Sequence, residues 1–190
     1  MQIITEINKL KKEKDFFVVA IDGRCGAGKS TLSDKLKQLY DFDVIHLDDF
    51  FLPFNLRTNK RLDEVGGNVH YERFFEQVVT KIKEREPFSY QRFDCQTGGF
   101  TDKINISCKK LIIVEGVYSM REEFRDVYDL SIFLEIDNNL QEQRIINRNG
   151  VEKFEMFKNI WIPMEEKYFE MFKIKGKCNL VCTYTDNIII

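Results

Sequence analysis

The chain has 190 residues, 43% of them hydrophobic, with 29 Lys and Arg against 31 Asp and Glu, a formal charge of −2 and a pI of about 5.8. That length allows one domain with a sizeable core, and the balanced charge argues against a binder of nucleic-acid phosphate backbones or a DNA-acting ATPase, which would need a larger chain or a basic surface. No apolar run approaches the roughly 18 residues of a membrane span, the N-terminus lacks a signal-peptide core, and the five cysteines (Cys25, Cys95, Cys108, Cys178 and Cys182) form no C-x-x-C pair, so a cytoplasmic protein with reduced thiols and no membrane partner is expected.

Residues 2 to 14 read as a short amphipathic helix, with Ile3, Ile7 and Leu10 on one side and Lys9, Lys11, Lys12 and Lys14 elsewhere. Phe16 to Ile21 follows as an apolar, β-favouring run, short enough to be a buried strand of a parallel sheet. Next comes Gly23-Arg24-Cys25-Gly26-Ala27-Gly28-Lys29-Ser30, which fits G-x-x-x-x-G-K-[ST] without a mismatch, and Thr31 to Leu36 continues it as a helix.

The glycines of that loop let successive N–H groups turn inward around a phosphate, where a Cβ would block the approach. The helix that follows adds partial positive charge at its start, Lys29 is placed to bridge the β- and γ-phosphates of a nucleotide, and Ser30 to put its hydroxyl on Mg²⁺. The loop positions from Gly23 to Thr31 are therefore the expected nucleotide site. Within it, Cys25 reads either as a thiol whose pKa the loop amides lower or as a small residue at a variable position.

Asp43 to Leu47 is a second buried strand, ending in Asp48-Asp49-Phe50-Phe51. Ligands of open α/β sheets gather beyond the carboxyl ends of strands, so this acidic pair should face the phosphates, one aspartate catalytic and the other capping a turn. Residues 53 to 69 read as a long polar loop, Tyr71 to Glu84 as a helix burying Phe74, Phe75, Val78, Val79 and Ile82, and the stretches flanking Gln96-Thr97-Gly98-Gly99 as a β-hairpin positioned to cover a site.

Leu111 to Gly116 is a further core strand, ending in Glu115, a candidate to hold the metal directly or through an intervening ligand. Leu130 to Ile136 is another strand, after which Asp137-Asn138 caps a helix carrying Arg144 and Arg148 on one face. Val151 to Phe172 reads as a helical pair kinked at Trp161-Ile162-Pro163, and Asn179 to Cys182 and Asn187 to Ile190 as short closing strands.

The ordered set IDGRCGAGKST, HLDDFF, GGNVHYERF, YQRFDCQTG, LIIVEG, RIINRN and WIPMEEKYF resembles the uridine kinase and phosphoribulokinase family of P-loop kinases from about Phe16 to Cys182. The resemblance implies a single P-loop NTPase domain over residues 1 to 190, three-layered around a mainly parallel sheet with helices on both faces, an inserted hairpin within a substrate-covering region of about 53–107, and a helical lid of about 144–165. It implies ATP and Mg²⁺ as cofactors and a small-molecule acceptor, in keeping with a nucleoside. Asp48 would be the base, Glu115 would help to hold Mg²⁺ beside Ser30 and Asp48, and Arg144 and Arg148 would close over the phosphates. Asp49, Phe51, His70, Arg92 and Phe93 fall where the family contacts its acceptor. The match departs from uridine kinases at Phe51, His70, Phe93 and Gly98 and lacks a second arginine cluster after Arg148, which leaves the acceptor open.

Two other readings stand beside it. A nucleoside monophosphate kinase would need arginines for a second phosphate, and Arg57, Arg61, Arg73 and Arg92 are available in the sequence. A regulatory nucleotide switch is the third, although no N-K-x-D guanine-reading motif occurs.

Overall fold

The structure is a computed structural model, and it describes residues 2–183. In chain order it contains α1 (Gln2–Glu13), β1 (Phe17–Gly23), α2 (Lys29–Lys37), β2 (Asp43–His46), α3 (Asn59–Asp63), α4 (Tyr71–Phe74) and α5 (Thr80–Glu84). It continues with β3 (Phe88–Asp94), β4 (Gly99–Ile106), β5 (Leu111–Glu115), β6 (Leu130–Glu135), α6 (Asn138–Asn149), α7 (Val151–Met156), α8 (Ile162–Met171), α9 (Ile174–Lys177) and β7 (Leu180–Thr183). The last strand expected from the sequence, Asn187 to Ile190, lies outside the described residues.

Five of the strands form one sheet in the order β2-β5-β1-β6-β7, and every neighbouring pair is parallel. Its central strands carry apolar side chains on both faces, as a parallel sheet covered by helices on both sides requires. On β1, Val18 and Ala20 point into one core with Ile112, Val114 and Phe133, while Phe17, Val19 and Ile21 point into the other with Ile113, Ile132 and Leu134. The first core is closed by Phe74, Val78 and Ile82 and by Tyr168 and Phe169; the second by Ile3 and Ile7 of α1 and Leu32 and Leu36 of α2. The three-layer P-loop arrangement read from the sequence is the one found.

Because β1 is followed by a strand two places to one side, while β6 and β7 lie on the other, the order of the sheet reverses at β1. A crevice at the carboxyl end of that strand is where such a sheet binds ligands. Gly23 ends β1 with φ of 137°, and a Cβ there would come 2.2 Å from the Leu134 carbonyl oxygen, so β1 can run this close to β6 only with glycine at the turn.

Several local expectations change. Leu47–Phe50 is a 3-10 turn, so both aspartates leave the strand on a tight helical turn. The 53–69 segment contains a 3-10 turn at Phe54–Leu56 and the short α3, capped by Thr58 accepting from Arg61 N. A π turn at Phe75–Val79 joins α4 to α5; its slip against the 3.6-residue repeat buries Val78, Val79 and Ile82 and leaves Phe75 40% exposed rather than in the core. Between α7 and α8 lies a π turn at Phe157–Trp161, with helical backbone angles through both junctions.

Candidate active site

The loop after β1 and the start of α2 form one wall of a cleft of about 400 Å³, which Cys25, Gly26, Gly28, Lys29, Ser30, Thr31, Asp48, Glu115, Gly116, Val117, Arg144 and Arg148 line. Lys29, Ser30 and Thr31 open α2, and the first intrahelical bond is donated by Leu32 N to Gly28 O at 2.8 Å. The N–H groups ahead of Leu32 in that turn have no partner one turn back, which makes this end of the helix an anion site. Lys29 Nζ donates to Gly23 O at 2.6 Å and Arg24 O at 3.1 Å. Two of its three N–H bonds thus hold the ammonium across the loop, and one remains for an oxygen in the cleft.

Other members of the expected nucleotide set have structural tasks. Arg24 N donates to Leu134 O at 3.3 Å, Ala27 N to Arg24 O at 3.1 Å, and Cys25 N to Glu165 Oε2 at 2.9 Å. The Arg24 guanidinium points away from the cleft: Nε bonds Glu166 at 2.7 Å, and Nη1 bonds Ile136 O at 3.0 Å and Asn138 at 2.6 Å. The Cys25 thiol is not activated. Burial and the neighbouring Glu165 carboxylate push it up to about 12 against the opposing pull of Lys29 and the Gln141 bond, so the loop does not lower its pKa.

On the opposite wall, Glu115 Oε1 accepts from Ser30 Oγ at 3.0 Å and meets His46 Nδ1 at 2.5 Å. Burial favours its neutral form, but the His46 bond and charge, with Lys29 and Ser30, outweigh burial and hold the carboxyl below its ordinary value. The same bond raises the His46 pKa. Asp48 opens onto the cleft and is exposed there, while the protein around the cleft floor displaces enough water to raise its pKa against the attraction of Lys29. Ser30, Asp48 and Glu115 are hard oxygen donors on one cleft, the type magnesium takes. Among the described residues no group of three or more His, Cys, Asp or Glu side chains is arranged to hold a metal by itself, so a magnesium ion would share its shell with phosphate oxygens and water.

The two aspartates diverge. Asp49 is buried and accepts from Tyr90 Oη at 2.9 Å, with its pKa raised by burial. Of the other expected acceptor contacts, His70 Nδ1 caps α4 by accepting from Arg73 N at 3.2 Å, Phe51 bridges its backbone to Val69, and Phe93 is buried with its ring centroid 5.5 Å from those of both Phe54 and Phe100. Arg92 is exposed and acts electrostatically on Asp49. None of these five lines the phosphate cleft. Arg144 and Arg148 do, and Arg144 Nη1 already donates to Gly26 O at 3.2 Å.

No family model matches the chain. Among curated proteins it is 27% identical over 132 residues to uridine-cytidine kinase D of Dictyostelium discoideum, a match covering 70% of this chain and 25% of that protein. It is 24% identical over 190 residues to a uridine kinase of Chlamydia pneumoniae, covering 90% and 84% of the two. The solved structure titled as a possible uridine kinase from Bacillus stearothermophilus superposes with a TM-score of 0.67 at 22% identity, over 95% of this chain and 99% of that one. The chain is similar to uridine kinases.

The arginines that a second phosphate would need are largely engaged within the protein. Arg57 Nε donates to Leu52 O at 2.8 Å, Arg61 bonds Glu72 at 2.6 and 2.9 Å and Val69 O at 2.9 Å, and Arg73 bonds Asp49 O at 2.8 Å and Gln91 O at 2.7 Å. Sequence reasoning did not single out Asp22, His46 or Glu165. His46 opens the quoted HLDDFF motif and Glu165 lies inside WIPMEEKYF, but their partners come from distant parts of the chain.

Proposed function

We propose that this protein is an ATP-dependent kinase that transfers the γ-phosphoryl group to a hydroxyl of a small nucleoside-like metabolite. The observation that carries the reading is the cleft in which Lys29 and Ser30 at the start of α2 stand across from Asp48 and Glu115, with Arg144 and Arg148 also lining it. Lys29 and the N–H groups at the open start of α2 hold the β- and γ-phosphates. Ser30, Asp48 or Glu115 would hold a magnesium ion, which would supply neutralisation of charge on the transferred group. The acceptor oxygen forms the new P–O bond as the bond to the β-phosphate oxygen breaks, releasing ADP, and the hydroxyl proton passes to Asp48. The protein around the cleft floor raises the Asp48 pKa, which favours its taking up a proton.

Residues 144–165 form the lid of this reading and residues 53–107 the acceptor-covering region, within one P-loop domain. Gly150, with φ of 86° between α6 and α7, gives the lid a hinge. The test is acceptor-dependent ADP release, screened over nucleosides, sugars and small vitamins with Mg²⁺ and either ATP or GTP. Release with one acceptor class, abolished by Asp48→Asn, is expected. No acceptor-dependent release from any class, with nucleotide bound, would favour a regulatory switch instead.

A further inference from the structure

The phosphate loop is one backbone thick where Cys25 passes through it. On one side Cys25 and Gly26 line the cleft; on the other, Cys25 N–H donates to Glu165 Oε2 at 2.9 Å. Glu165 comes from α8 and is 7% exposed. Its neighbour Glu166 bonds Arg24 Nε at 2.7 Å, so two successive glutamates fasten α8 to two successive loop residues. Behind the same loop, Asp22 at the end of β1 is fully buried and accepts from Gly23 N at 2.7 Å, Met120 N at 2.9 Å and Tyr168 Oη at 2.7 Å.

Three donors satisfy Asp22, whereas the backbone bond from Cys25 is the main support of Glu165. The groups facing Glu165 come from each element around it: Asp22 from β1, the Cys25 thiol from the loop, Lys29 from α2 and Tyr118 from the segment after β5. Tyr168, one turn along α8, is bonded to Asp22, and Gln141 of α6 is neutral and bonds the Cys25 carbonyl at 2.8 Å. Lys29 favours the charged form of Glu165, and Asp22 opposes it. Lys29 is also the cation that a nucleotide's phosphates would claim from the other side of the loop.

We propose that Glu165 is a positioning residue whose charge follows the occupancy of the phosphate loop: it takes up a proton from solvent when nucleotide phosphates fill the loop and gives it back when they leave. The proton sits on Oε1, so Oε2 keeps accepting from Cys25 N–H, and the loop holds its shape while the second anion behind it is removed. The inference rests on the nucleotide-binding reading above. Phosphates on one side of the loop repel a carboxylate on the other, and for the buried Glu165 a carboxylic acid is the cheaper state once the phosphates are in place. Burial, reinforced by Asp22, already lifts Glu165 to about 7 with Lys29 opposing, so a further anion changes its protonation at neutral pH.

The test is calorimetric titration of the full chain with magnesium-saturated ATP, acceptor absent, at pH 7 in two buffers of different ionisation enthalpy. The wild type should take up as much as about half a proton per nucleotide bound, and Glu165→Gln should take up less by that amount. Glu166→Gln, which removes only the carboxylate charge paired with Arg24, should match the wild type, and Asp22→Asn, which takes an anion away from beside Glu165, should still take up a proton. Relative to Glu165→Gln, which carries the nucleotide's own titration, wild-type affinity should fall up to about fivefold from pH 7 to pH 8. A variant merely damaged in packing would bind less at every pH without removing that slope. Equal uptake by wild type and Glu165→Gln, or loss of uptake in Asp22→Asn alone, overturns the proposal while leaving nucleotide binding standing. Absence of any binding heat and of any thermal stabilisation by ATP would overturn both together.

Discussion

Adjacent aspartates with opposite surroundings give the sharpest separation of chemistry from stability in this protein. Asp48 opens onto the cleft beside Lys29, Ser30 and Glu115, while Asp49 is 6% exposed and accepts from Tyr90 Oη at 2.9 Å. In Asp48→Asn the amide cannot take the acceptor proton, so turnover should fall by about 10² to 10⁴, a transition-state loss of about 2.7–5.5 kcal/mol. Its melting temperature should hardly change, because the side chain is not part of the core. Asp49→Asn keeps an oxygen for the Tyr90 hydroxyl and should lose little of either property. Asp49→Ala leaves that buried hydroxyl without its acceptor, a cost of about 1–3 kcal/mol, and at about 2–4 °C per kcal/mol for a chain of this size the melting temperature should drop by roughly 2–12 °C. The assay is single-turnover phosphoryl transfer on each variant, normalised to folded protein, beside a thermal melt. A hundredfold loss of turnover in Asp49→Asn with Asp48→Asn near wild type would put the base one residue on and refute the assignment.

Three further outcomes are expected. Lys29→Ala should remain folded but lose stabilisation by MgATP in a thermal-shift assay; a shift equal to wild type's would show that its ammonium holds no phosphate. Arg144→Ala and Arg148→Ala should each lower the acceptor-dependent rate at least about tenfold, above ~1.4 kcal/mol at the transition state, while nucleotide affinity falls less; unchanged kinetics in both would remove the lid role. Burial raises Glu165 from 4.5 to about 7 in the folded chain, so the folded state binds the extra proton and stability is lost as pH rises from about 4.5 to about 7. Chemical denaturation should therefore show the stability of Glu165→Gln gaining on the wild type across that window, by on the order of 3 kcal/mol at most, and a constant difference would mean that Glu165 titrates alike in both states.

How far the sequence could be read depended on whether the deciding contact was local. β1 and β5 are buried on both faces and so appear as unbroken apolar runs, and the loop between β1 and α2 carries its chemistry in eight consecutive residues. The Asp137 cap of α6 and the hairpin of β3 and β4 are legible for the same reason: cap, turn and flanking pattern are neighbours in sequence. The π turns are not, because one extra residue per turn shifts the buried face without altering which residues are apolar, and Phe75 and Val78 look alike until one is outside and the other inside. α9 and α3 are too short to show a period.

The roles within the site divide by the same rule. Lys29, Ser30, Asp48 and Glu115 each stand at the end of a strand or the start of a helix, where topology alone directs them to the crevice at β1. His70 and Phe93 occupy matching positions in the motif order, yet one is spent on a helix cap and the other on aromatic packing. Glu165 is the converse case. It lies in a run of charged and aromatic residues that reads as an ordinary amphipathic helix, and the amide it holds is 140 positions away. The loop's donors are consequently divided: the amides of Arg24, Cys25 and Ala27 are bound to the protein, and the open end of α2 is left facing the cleft. A glycine-rich loop free on both sides would lose conformational entropy on closing around phosphate. This one is fixed from behind by β6 and α8 before any ligand arrives, so a change in α8 reaches the phosphate site through a single hydrogen bond.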